Sequence, residues 1–354
     1  MRSFRTLSLT LMGILAFAVP AAFAGGECCT MGNLAAMDSP RGKWSLQLQY
    51  DYSSMETIRE GTSSVSPDAV LDAHLTSGST NSSMNGSMNG SMNGATSYSI
   101  PTKMVMQKYV LAAQYRPFDS WRLTATLPYL VNDMDMRKET SAGMVMNMSM
   151  ARVQGLGDAT IGALYTLLAP APRTEGWDLA LGLGLKLPTG KNDVKKESSD
   201  TLVHAMMQPG SGSWDPIFMV QGGRAAGKLS VRLNGTYHLA TRGDEGYQYG
   251  NMIGIDLVTR YQAARALRIG LGLNFIDTGK DTDHDGNYSS ATSMIDNTDN
   301  TGLTAFYLTP EIQAVIPGTG GSFSLAFQQP LSQKVNGTQQ VMDWRLLATL
   351  GWAF

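Results

Sequence analysis

Apolar and polar residues alternate along much of this chain, most clearly in its last segment. From Trp344 onward every second residue is apolar (Trp344, Leu346, Ala348, Leu350, Trp352, Phe354), while Asp343, Arg345, Thr349 and Gly351 take intervening positions. A period of two puts alternate side chains on opposite faces of a strand. Aromatics at both ends of the apolar face, with aliphatics between, suit a strand that crosses a bilayer with one side in lipid. Two further segments repeat the pattern: Trp44, Leu46, Leu48, Tyr50 and Tyr52 alternate with polar residues, and Trp177 to Leu187 alternates leucine with Asp178, Ala180, Gly182, Gly184 and Lys186.

Twelve segments carry this alternation or a strong β composition: 43–52, 104–115, 121–132, 156–167, 177–187, 214–224, 229–239, 248–261, 267–276, 304–316, 322–328 and 341–354. Most approach the roughly nine to eleven residues a tilted strand needs to span a bilayer. The connections sort by parity. Those after even-numbered segments are short (116–120, 168–176, 225–228, 262–266, 317–321), and those after odd-numbered ones are mostly long and polar (53–103, 133–155, 188–213, 277–303). The prediction is an all-β protein, a transmembrane antiparallel up-and-down β-barrel of about twelve strands with short periplasmic turns and long outer loops. Closure removes the unpaired edges that hydrocarbon would penalise. A soluble β-sandwich explains the strands but not the sorting of its loops.

The amino-terminal region sharpens the compartment. Arg2 and Arg5, the mainly apolar run from Leu7 to Val19, and Ala22-Phe23-Ala24 before Gly25 read as a cleaved signal peptide over 1–24. The apolar run is too short for a spanning helix. Residues 25–42 form an irregular periplasmic segment that could plug the barrel of 43–354. The adjacent Cys28 and Cys29 are open to three readings: a strained disulfide, a soft-metal pair or idle thiols. The expected location is the bacterial outer membrane, with its lipid as partner. A chain finishing on an in-phase aromatic strand also resembles a substrate of the barrel-assembly machinery.

The chain has 27 basic and 29 acidic residues, a net charge of −2; removing Arg2 and Arg5 leaves 25 against 29, or −4. That balance offers no footprint for nucleic acid. With the apolar faces in lipid, the opposite faces place Lys108, Arg122, Asp178, Lys186, Arg232, Asn234, His238, Asp256, Arg260, Arg268, Glu311 and Arg345 in the lumen. They would line a solute path or pair with one another as a structural ladder. A twelve-stranded barrel lies between filled eight-stranded ones and aqueous porins, so a narrow or plugged passage is expected.

Methionine is abundant, with 22 residues, and it is clustered: Met84, Met88 and Met92 in a Ser-Met-Asn-Gly repeat, then Met104, Met106, Met134, Met136, Met144, Met146, Met148 and Met150. Thioethers are soft ligands suited to Cu(I) or Ag(I). Strand parity points all eight methionines from 104 to 150 inward, unless a bulge reverses the facing. The competing reading is that flexible methionine simply fills space. A second cation candidate, for Ca²⁺, is Asp281-x-Asp283-x-Asp285-Gly286, although Thr292 stands where a calcium loop carries its closing glutamate. No cofactor is required by either reading.

Three phrases carry a family resemblance: Gly155-Leu156-Gly157-Asp158-Ala159, Leu185-Lys186-Leu187-Pro188-Thr189-Gly190-Lys191-Asn192-Asp193, and Gly210-Ser211-Gly212-Ser213-Trp214-Asp215. In order and spacing they resemble the outer-membrane transporter family named for the MetA pathway of phenol degradation, best over roughly 150–240. The resemblance implies a β-barrel passing small, often hydrophobic or aromatic solutes. The methionine-rich loops depart from it. Pro188-Thr189-Gly190-Lys191 is not a phosphate loop, because its glycine spacing is wrong and Asn192 replaces the magnesium-binding hydroxyl.

His74, His204 and His284 fall in loops and His238 in a strand, and spacing assigns none of them a serine and an orienting acid. The expected function is therefore an outer-membrane channel or transporter for small solutes, with soft-metal binding by the methionine-rich hairpins, and not an enzyme. The alternatives are a structural or adhesion barrel with a closed lumen and, behind that, an outer-membrane hydrolase. Solute identity, pore size and oligomeric state are not legible.

Overall fold

The structure, a computed structural model, describes residues 43–77, 97–169, 176–197, 199–316 and 319–354. The predicted signal peptide, the segment 25–42 with its two cysteines, and the Ser-Met-Asn-Gly repeat lie outside the described residues.

Twelve long strands form one closed antiparallel sheet: β1 (Trp44–Met55), β2 (Ser97–Tyr115), β3 (Trp121–Thr140), β4 (Ala159–Leu168), β5 (Gly176–Leu187), β6 (Asp215–Ala226), β7 (Leu229–His238), β8 (Met252–Ala264), β9 (Leu267–Thr278), β10 (Leu303–Ile316), β11 (Gly321–Val335) and β12 (Trp344–Ala353). Each pairs with its neighbour in sequence, and β12 returns to β1 with Ser45 opposite Ala353 and Ser54 opposite Trp344. Every ladder is satisfied and no strand of the wall is left as an edge, as a bilayer demands. The twelve correspond one for one to the predicted segments.

Their lengths do not. β2 starts seven residues before its predicted segment and β3 runs eight beyond its own, together forming a tall hairpin. Above the bilayer both faces of a strand meet water or protein, so the alternation that identifies a spanning strand is absent there. The last predicted segment, 341–354, starts late: its wall strand begins at Trp344, and Val341 instead ends a short strand, Thr338–Val341, that pairs with Thr57–Glu60, which pairs in turn with Ser63–Val65.

The facing follows the pleat. Leu46, Leu48, Leu111, Leu123, Leu183, Ile255, Leu271 and Phe323 are exposed on the outer wall, while Ser45, Gln47, Asp51, Lys108, Asp256 and Arg345 are buried in the lumen. Aromatic pairs mark both rims of the apolar belt. Trp44 stacks on Tyr115 at 4.3 Å and Trp121 lies 5.1 Å from Tyr165 at the short-turn end; Tyr52 stacks on Trp344 at 5.2 Å and Phe275 lies 4.9 Å from Phe306 at the other. Such girdles belong at the two membrane interfaces.

The long connections form a cap. Helix α1 (Pro67–Ser77) contributes Val70 and Leu71 to a cluster with Ile58, Tyr98, Ile100 and Met294. A second cluster gathers Ala205, Ala240, Tyr247, Tyr249 and Tyr288 from the loops after β5, β7 and β9. The 188–214 connection turns inward, and its short 3-10 helix Ala205–Met207 places Met207 fully inside the barrel. Among the described residues this connection fills part of the outer lumen, packing with methionines of the wall and with Met342 from the loop before β12.

Candidate functional site

The lumen has three levels, and at each of them ion pairs or side-chain hydrogen bonds tie charged groups to the wall. Near the short turns, Arg232 forms an ion pair with Asp178, Arg122 donates to Gln221 Oε1 at 3.0 Å, and Arg268 Nε donates to Gln262 Oε1 at 2.8 Å. Slightly higher, Arg260 Nη2 reaches Glu311 Oε2 at 2.7 Å. At mid-height Arg345, with no exposed surface, grips both oxygens of Asp51, its Nε donating to Oδ1 at 2.7 Å. Asp256 accepts from Asn274 Nδ2 at 2.6 Å, Thr309 donates to Asn274 Oδ1 at 2.6 Å, and Gln328 bridges that group toward Arg345. Lys108 lies opposite Asp51 across the β1–β2 ladder. The sequence-derived lumen residues are thus where parity puts them, tied into a ladder; burial of such charges is sustained only with partners.

The outer level contains a knot that parity alone did not reveal. Lys186, at the top of β5, places Nζ 2.5 Å from Asp215 Oδ2 and 3.7 Å from Asp158 Oδ2, with all three side chains fully buried. Asp158 also accepts from the amides of Gly190 and Ser211, both at 2.9 Å, and from the Ser211 hydroxyl at 2.6 Å. Asp215 takes the Thr241 amide at 2.8 Å, the Ser213 hydroxyl at 3.1 Å and His238 Nε2 at 3.0 Å. The three phrases that carried the family resemblance therefore meet at one place. Thr189 joins them by donating to Gly157 O and accepting from the Ala159 amide.

Their glycines are needed for that meeting. A Cβ on Gly210 would lie 2.3 Å from the Gly190 carbonyl oxygen and 2.4 Å from its carbon, so only two bare backbones can cross there. Asp158, Ser211, Ser213 and Asp215 were missed as site residues because their contacts join segments up to 53 residues apart in sequence. The quoted phrases were the available signal.

The arrangement around His238 is not that of a nucleophile. Ser213 and His238 Nε2 converge on the same Asp215 oxygen, whereas a catalytic triad passes a proton from serine to histidine and orients the histidine through its other nitrogen. The cluster is a buried ionic tie between β4, β5, β6 and β7.

Beside it lies a chamber of different chemistry. Met55, Met104, Met106, Met134, Met136, Met207, Met252 and Met342 pack with Val153, Val203, Ile276, Leu303 and Tyr307, and Met150 and Met206 rest against them. A cavity of about 80 Å³ between the loops is lined in part by Met206, Tyr247, Tyr249, Met294, Ile295 and Leu303 and for the rest by polar residues, Asp281, Asn300 and Gln340 among them. Met206, Ile295 and Leu303 belong to both, so the cavity adjoins the chamber.

Of the eight methionines expected inside, Met104, Met106, Met134 and Met136 are buried there and Met150 packs at the edge. Met144, Met146 and Met148 are a correction, being 64%, 52% and 37% exposed. Their parity holds, since Met148 lies opposite Met136, but Val145–Ser149 pairs with β3 alone and rises past the packed lumen with nothing covering that face. Met55 and Met252 were missed although their strands' own alternation turns them inward. Met207 comes from a loop and gave no periodic signal, and Met342, which the predicted segment 341–354 would turn toward lipid with Trp344, lies instead in the loop before β12 and is buried.

The predicted Ca²⁺ ligands do not converge. Asp281 accepts from Tyr247 and the Gly250 amide, Asp285 pairs with Arg242, and Asp283 folds back on Gly286, Tyr288 and Ser289. Partial burial alone would raise the Asp283 carboxyl, but the Ser289 hydroxyl and these amides outweigh it and hold the group below its ordinary value. Among the described residues no group of three His, Cys, Asp or Glu side chains could hold a metal ion.

Residues 118–325 match the family described as "Putative MetA-pathway of phenol degradation". The chain belongs to that family. Among solved structures it is similar to an outer membrane channel from Pseudomonas putida F1, with a TM-score of 0.56 and 15% identity over 92% of this chain and 100% of that one. Weaker likenesses are to a Pseudomonas aeruginosa FadL homologue (TM-score 0.44, 10% identity, 97% and 100% covered) and to the P. putida toluene transporter TodX (0.44, 9%, 97% and 99%). No curated protein sequence matches it. Family, closed barrel and lipid-facing girdles place this member of the family in the bacterial outer membrane.

Proposed function

We propose that the protein admits small, uncharged apolar solutes, monocyclic aromatics among them, across the outer membrane. The observation that carries this reading is the lining of the outer lumen. An aqueous porin keeps its interior polar, whereas here the loop cavity opens toward a chamber of thioethers and aliphatics. Methionine is unbranched and has a polarisable sulfur, so it can yield to a rigid flat guest and still make contact on all sides. The phenol-degradation description of the family agrees with a guest of that class.

The mid-lumen ladder has a matching role. A filled, ion-paired interior is a poor passage for free ions, so admission would depend on local displacement of side chains around the guest and not on a standing water column. The test is uptake of radiolabelled toluene by cells whose lipopolysaccharide barrier is intact. Cells making the protein should take it up several times faster than cells without it, and M207K, which sets an ammonium in the chamber, should lose the gain while the folded barrel remains in the membrane. No gain from the wild-type protein, or a large ohmic conductance in planar bilayers, would replace this reading with a sealed structural barrel or a general porin respectively.

A further inference from the structure

The placement of methionine in the barrel wall is too one-sided for a generic apolar filler. The twelve strands contain seven methionines, Met55, Met104, Met106, Met134, Met136, Met219 and Met252, and each is buried on the lumen side, none more than 6% exposed. The lipid face of the same strands is built from Leu, Ile, Val, Phe, Tyr and Trp. If hydrophobicity were the only requirement, methionine would be found mostly where most of the hydrophobic positions are, on the lipid face.

Three of the seven are in register. Met55 on β1 is directly opposite Met104 on β2, and Met104 is directly opposite Met134 on β3. Directly opposed residues on one face of an antiparallel pair have Cβ atoms about 5 Å apart, so three thioethers on flexible stems arise side by side from one rigid patch of wall. Met342 joins them from the loop before β12, where the segment is held by Gln340 Nε2 donating to Met55 O at 3.1 Å. Beneath them the Arg345 guanidinium is paired with the bidentate Asp51, and Lys108 lies opposite that same carboxylate across the β1–β2 ladder.

We infer that Met55, Met104 and Met134 form a soft-cation site in the outer lumen, selective for Cu(I) or Ag(I). The reasons are chemical. Thioethers coordinate soft monovalent ions while leaving hard ones hydrated, and a monovalent ion is the least costly charge to bring into a chamber without carboxylate ligands. The site differs from the exposed hairpin methionines and is independent of the solute reading, since it requires metal capture and no passage.

The experiment is equilibrium dialysis of the full mature chain in a C28S/C29S background, which removes the thiols that would compete for silver, folded in detergent, against Ag⁺ in chloride-free buffer, with bound silver counted by mass spectrometry. Silver is the probe because it needs no reductant. The expected result is at least one tightly held Ag⁺ per chain, undisturbed by millimolar Mg²⁺ or Ca²⁺. M55L/M104L/M134L should bind at least tenfold more weakly, and M144L/M146L/M148L should bind as the wild type does. Methionine to leucine keeps the side chain's bulk, and the heat-modifiable gel mobility of a closed barrel confirms the fold of each variant. Retention of silver by the folded triple wall variant, or its loss on changing the hairpin residues, would overturn the assignment. So would X-ray absorption of the Cu(I)-loaded wild type showing only oxygen and nitrogen neighbours.

Discussion

Replacing Lys186 by methionine removes the one cation that faces both Asp158 and Asp215, and the structure sets the scale of the consequence. At 2.5 Å and 3.7 Å, and with an effective dielectric of about 20, the two attractions amount to about 7 and about 4 kcal/mol. The lost burial cost of the ammonium itself offsets several kcal/mol of that sum, and the hydrogen bonds from Gly190, Ser211, Ser213 and Thr241 continue to serve the carboxylates. What remains is two buried carboxylates without the ammonium between them, and breaking a buried pair from one side costs about 3–5 kcal/mol. Urea unfolding in lipid vesicles, followed by tryptophan fluorescence, should therefore show K186M destabilised by about that amount. K186M/D215N should lie closer to wild type than K186M does, because the second change removes one of the stranded charges. If K186M unfolds within about 1 kcal/mol of wild type, the pair behaves like an exposed one and the reasoning is wrong. Lys195 and Asp200, an ion pair on the exposed loop surface, supply the control: K195A should leave the transition unmoved.

Two further outcomes follow from the same geometry. G210A would drive a methyl into the Gly190 backbone, which has no flexible end to give way, so the yield of folded, heat-modifiable barrel should fall sharply, while G286A, where a Cβ meets nothing within 4 Å but φ is +72°, should cost only local strain; equal yields would refute the packing argument. For Asp283 the folded carboxyl is held below its unfolded value of about 3.9, so its contribution is fully present above that value and is lost as pH falls through the lower folded one. Protection factors of the 283–289 amides, with the intrinsic pH dependence of exchange divided out, should therefore be unchanged between about pH 5 and pH 8 and should fall only in acid below about pH 4, and D283N should lower them at neutral pH; a change near neutrality in the wild type would contradict the sign.

The alternation of apolar and polar residues determined by itself that this chain makes twelve strands with one face in oil, where their lipid-facing parts run and which connections are long, but not how far β2 and β3 rise beyond the bilayer. It also assigned a set of charged residues to the lumen face, from Lys108 on β2 to Arg345 on β12, because facing in a strand is a local property with a period of two. Three matters needed the tertiary structure. Partnership was one: Asp51 meets Arg345 across 294 residues and only after the barrel closes. Burial was another, since Met136 and Met148 share a face and a ladder yet one is enclosed and the other bare, the difference being how far the neighbouring wall and loops rise. The last was the convergence of the family phrases into the Asp158–Lys186–Asp215 knot, and of Met207 with Met55 and Met104. Those contacts depend on how loops fold back over a closed rim, which no pattern along the chain encodes.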